Sequence, residues 1–83
     1  MTDESYLAII EKVIPEGHRG PYAVAKSTEL GSVTFSLKSP VWTEKERPEP
    51  GTYVILTNIL RKRGGWRANS GRFFKPSDQQ SAK

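Results

Sequence analysis

The sequence predicts an all-β fold, a small five-stranded barrel with a long connection between its third and fourth strands. Three observations carry this. Short runs rich in β-branched and aromatic residues recur along the chain, some in strict apolar–polar alternation. Clusters of glycine and proline separate them. A glycine pair, Gly64-Gly65, stands between the last two runs, where a hairpin needs backbone freedom at positive φ.

The elements follow in order. Residues 1–5 are polar and expected to fray. Residues 6–14 admit two readings. Tyr6, Ile9, Ile10, Val13 and Ile14 have the spacing of an amphipathic helix, with Asp3 placed to cap it. Four of the nine residues are β-branched, which favours a strand, and a first strand completes the all-β pattern. Pro15 ends the segment either way. Residues 15–21, PEGHRGP, form a turn-rich loop with His18 and Arg19 at its tip. Residues 22–25 make a second strand and KSTELG a polar turn. In the third strand, residues 32–38, Val33, Phe35 and Leu37 face the core while Thr34, Ser36 and Lys38 face outward.

The segment SPVWTEKERPEP holds three prolines, which forbid a regular inner strand, so it reads as a long surface connection. Its Trp42 is expected to plug one end of the core. The fourth strand, residues 52–60, is apolar on both faces, with Val54, Leu56 and Leu60 grouped on one and Tyr53, Ile55 and Ile59 on the other. The fifth strand spans residues 66–75, and Gly71 within it suggests a bulge or bend. Pro76 stops it. Residues 77–83 hold nothing to bury and are expected to be a disordered tail, leaving one domain over residues 6–76.

Charge is distributed unevenly. Residues 1–50 carry a net −2 and residues 51–83 a net +6. Between Arg61 and Lys75 lie six basic residues, Arg61, Lys62, Arg63, Arg67, Arg72 and Lys75, and no acidic one. A glycine hairpin carrying arginines beside aromatic rings suits a polyanion with planar bases. The competing reading is a hairpin whose charges only guard it against edge-to-edge aggregation.

Other chemistries find less support. With no cysteine there is no disulfide, thiolate nucleophile or zinc–thiolate site, and a reducing, cytoplasmic setting is expected. One histidine, no paired histidines and no GKS or GKT loop argue against catalysis, a bound metal or a cofactor. No apolar run approaches a membrane span, and the acidic MTDESYLAII opening is unlike a secretory signal.

Five strands with a long third-to-fourth connection is the layout of the OB barrel, which binds oligonucleotides on its second and third strands between the first-to-second and fourth-to-fifth loops. Those loops are PEGHRGP and RKRGGWR here, both glycine-rich and basic. Over residues 6–75 the order of elements resembles the cold-shock and related RNA-binding OB domains. A Gly-rich loop precedes the second strand, an apolar third strand follows, and a Pro/Gly-marked fourth strand leads into a glycine-containing loop. The resemblance implies a module for RNA or single-stranded DNA. Those domains cluster aromatics on the second and third strands, whereas this chain offers only Tyr22 and an inward Phe35 there. The expected contacts are therefore Arg61, Lys62, Arg63, Arg67, Arg72 and Lys75 on phosphates, Trp66, Phe74 or Tyr22 on bases, and His18 and Arg19 from the first loop. The alternative is a small barrel that docks onto a larger protein or ribonucleoprotein assembly, favoured by the Pro-rich connection and its tryptophan.

Overall fold

The computed structural model of the chain describes residues 5–18 and 20–75. Five strands, β1 (Ser5–Ile14), β2 (Tyr22–Ser27), β3 (Gly31–Ser36), β4 (Tyr53–Lys62) and β5 (Gly65–Phe73), close into a barrel in the order β1-β2-β3-β5-β4, with β1 returning to β4. Every seam is antiparallel except β3 with β5. This is the expected all-β five-stranded barrel, and its strand order is consistent with an OB-like layout. The expected frayed end (residues 1–4 of it), the tail over residues 77–83, Pro76 and Arg19 lie outside the described residues.

β1 is a strand, and its helix-like spacing has a cause. Its register with β2 runs Ile10 to Ala25, then Lys12 to Val24, leaving Glu11 as an extra residue in a bulge. The bulge shifts the side-chain phase. Ala8 and Ile10 are buried, and the next residue against the core is Val13, three positions on.

β4 also changes phase. Asn58 sits at φ 55, a left-handed conformation that asparagine tolerates better than most residues. Val54 and Leu56 point into the barrel, but beyond Asn58 it is Ile59 that meets the core, while Leu60 is 45% exposed. The simple alternation that grouped Leu60 with Val54 and Leu56 fails at this residue. β5 shifts in step, burying Ala68 and then Gly71, so the pairs Leu56–Gly71 and Ile59–Ala68 keep one unbroken ladder. Gly71 is thus no ladder bulge. A Cβ there would lie 3.1 Å from Leu56 Cδ2, 3.4 Å from Trp42 Cε3 and 3.6 Å from Phe35 Cδ2. A side chain there would crowd all three.

The long connection, residues 37–52, seals the barrel. Leu37 and Trp42 are buried, Trp42 beside Phe35 and edge-on to Phe73 at centroid distances of 5.7 and 5.0 Å. The indole Nε1 donates to the Glu46 carbonyl at 2.7 Å, so the ring is buried with its polar atom satisfied. Val41–Thr43 runs alongside β5: Gly71 N donates to Val41 O, and Thr43 N to Gly71 O. The Glu44 carboxylate accepts from Phe73 N at 3.2 Å. At its far end the connection joins β1, with Gly51 N on Ile10 O and Ile10 N on Thr52 O, both 2.8 Å. Along the β1–β4 seam Leu7 pairs with Ile55 and Ile9 with Tyr53; Leu7 and Tyr53 are about half exposed, while Ile55 is buried.

Candidate functional site

The hairpin between β4 and β5 pairs Leu60 with Arg67, Arg61 with Trp66 and Lys62 with Gly65. Gly65 turns the chain at φ 126. Arg61, Lys62, Arg63 and Arg67 are exposed and, among the described residues, have no carboxylate in ion-pair range. Trp66 is half-buried against the core, and the Arg61 guanidinium lies 5.4 Å from its ring centroid. The Trp66 ring thus anchors the hairpin to the core and remains only partly covered.

The loop between β1 and β2 is held by a reciprocal pair of backbone bonds, Gly17 N to Gly20 O and Gly20 N to Gly17 O, each 3.1 Å. Gly17 lies so close to the Tyr22 ring that a Cβ would come within 2.8 Å of it. The Lys38 side chain crosses Gly20, its Nζ 3.4 Å from where a Cβ would stand. A second cation therefore borders this loop.

Between the loop and the hairpin runs one groove. Its larger part, about 500 Å³, is bordered by His18, Tyr22, Ser36, Thr34 and Arg67. The smaller part, about 210 Å³, shares Thr34 and Arg67 and continues past Lys62, Gly65 and Trp66. Thr34 and Arg67 are neighbours across the parallel β3–β5 seam, so they form the floor on which the two parts meet.

Five residues expected from sequence therefore share this groove: His18, Tyr22, Lys62, Trp66 and Arg67. Arg61 and Arg63 flank it on the hairpin. Arg72, Phe74 and Lys75 are not brought to it. They lie at the opposite end of the β4–β5 ladder, where Phe73 pairs with Val54. Eight rungs separate that pair from Lys62–Gly65, roughly 26 Å along the strands at about 3.3 Å each. Phe74 instead meets Tyr53 edge-on at 6.5 Å, and Arg72 Nη1 donates to the Phe73 carbonyl. Sequence reasoning missed Thr34, Ser36 and Lys38 as site residues. Their outward alternation in SVTFSLK was the available signal. What it lacked was the register that sets Thr34 beside Arg67.

Fold and groove together define a small closed five-stranded β-barrel with a cationic cleft across its β3–β5 seam. Comparison with protein-family models, with curated proteins and with solved structures returns no match. Among the described residues no group of three or more His, Asp or Glu is gathered as a metal site would need.

Proposed function

We propose that this barrel binds RNA or single-stranded DNA in the groove between the β1–β2 loop and the β4–β5 hairpin. One observation carries the reading. The glycine-rich loop that holds His18 and the basic glycine hairpin, distant in sequence, border two adjoining parts of a groove that share Thr34 and Arg67. Arg67 and Lys62 supply positive charge with no acidic partner among the described residues, Tyr22 and Trp66 bring aromatic edges, and Gly64 and Gly65, open on their side-chain side, let a strand approach backbone closely. Titrating a fluorescently labelled single-stranded oligonucleotide with the protein at low and near-physiological salt tests this. Binding that weakens steeply with salt is expected. No binding at low salt rejects it.

A second reading, docking onto a larger protein assembly, is favoured by the exposed Leu7 and Tyr53 rather than by Trp42, which is buried. Partners retained after nuclease treatment and lost on Leu7→Glu would support it.

A further inference from the structure

We infer that the groove grips the sugar–phosphate backbone and leaves the bases unread and unstacked, an inference that rests on the nucleic-acid reading above. The floor carries this. The outward residues of β3 are Ser32, Thr34 and Ser36, and those opposite them on β2 are Lys26, Val24 and Tyr22. No aromatic ring lies at the centre of this surface. The two rings at its ends are already engaged. Tyr22 lies against the Gly17 backbone, and Trp66 lies against the core with Arg61 over its face. A base needs a free, flat π surface on which to stack, and the middle of the groove offers hydroxyls and a guanidinium.

Those groups suit phosphate oxygens. Ser36 Oγ accepts the Lys38 backbone N–H at 3.1 Å, which leaves its own O–H to donate outward. The Thr34 hydroxyl has no hydrogen-bond partner among the described residues. Beside it Arg67 presents a fork that fits a phosphate bidentately. Among the described residues Glu16 is the one acid bordering either part of the groove, and it stands at the loop end. Its repulsion directs a phosphate path toward Thr34, Arg67 and Lys62. Backbone contacts of this kind position a strand without reading its sequence.

The test compares an oligothymidylate with a strand of equal length built from abasic units, by fluorescence anisotropy at low salt. Each stacked base would contribute roughly five- to 150-fold. The inference expects the two affinities to agree within about threefold, and an abasic strand weaker by about tenfold or more overturns it. Thr34→Val keeps shape and removes the hydroxyl, and it is expected to weaken both strands by one common factor of about threefold or more. A loss confined to the thymidylate overturns the inference while leaving the nucleic-acid reading intact. Failure of both strands to bind overturns the two together.

Discussion

Gly71 is the residue on which Leu56, Trp42 and Phe35 converge. Leu56 and Phe35 are fully buried, so none of the three can retreat into solvent. Gly71→Ala is expected to destabilise the fold by about 1–2 kcal/mol through overpacking, read as a lowered urea midpoint at unchanged slope. A variant as stable as the parent would show that the core has slack there. The sequence marks Gly71 as special but not the reason, because a glycine in a strand has two explanations: a bulge, or an approach too close for a side chain. Only the packing of Leu56, Trp42 and Phe35, all distant in the chain, separates them. Asn58 is similar. Its residue type is the one hint in VILTNILRK of a left-handed residue inside a strand, and simple alternation groups Leu60, not Ile59, with Val54 and Leu56.

At the scale of elements, strand number and order of composition are legible because each strand is β-branched or aromatic and each break carries Gly or Pro. β1 was ambiguous for a physical reason: the bulge at Glu11 places Ile10 and Val13 on one face at a spacing of three, which a period-based reading takes for helix. The connection over residues 37–52 lacks a sheet-like pattern, yet it is a structural plug. Trp42→Ala removes a ring that touches Phe35 and Phe73 and frees the space it filled. The expected loss is about 3–5 kcal/mol, a large share of the ~5–15 kcal/mol that stabilises a typical domain. Circular dichroism on heating should show a midpoint far below the parent's. A small shift would mean that the connection rests on the barrel without supporting it.

For the whole molecule, the positive charge of residues 61–75 is resolved into two places. Lys62, Arg67 and their hairpin neighbours border the groove, while Arg72 and Lys75 stand at the other end of the ladder. Composition alone treats the six as one cluster, since it cannot see that β5 carries them along the barrel. The salt dependence of binding distinguishes the two groups. Each phosphate contact on a single strand contributes about 0.7 to the log–log slope. Arg67→Ala is expected to reduce the slope by about that amount, and Lys75→Ala to leave it unchanged. Equal reductions from both would place the ligand along the whole of β5.

The parallel seam between β3 and β5 has a further consequence. Local hairpins build two pieces, β1-β2-β3 and β4-β5, and the ring shuts only where these distant pieces meet, at β1–β4 and β3–β5. Thr34 belongs to one piece and Arg67 to the other. A guest lying across both would act as a clasp, so its occupancy and the closure of the ring are thermodynamically linked. Under this arrangement resistance to unfolding rises with guest concentration, and the cleft itself exists only once the two pieces have joined.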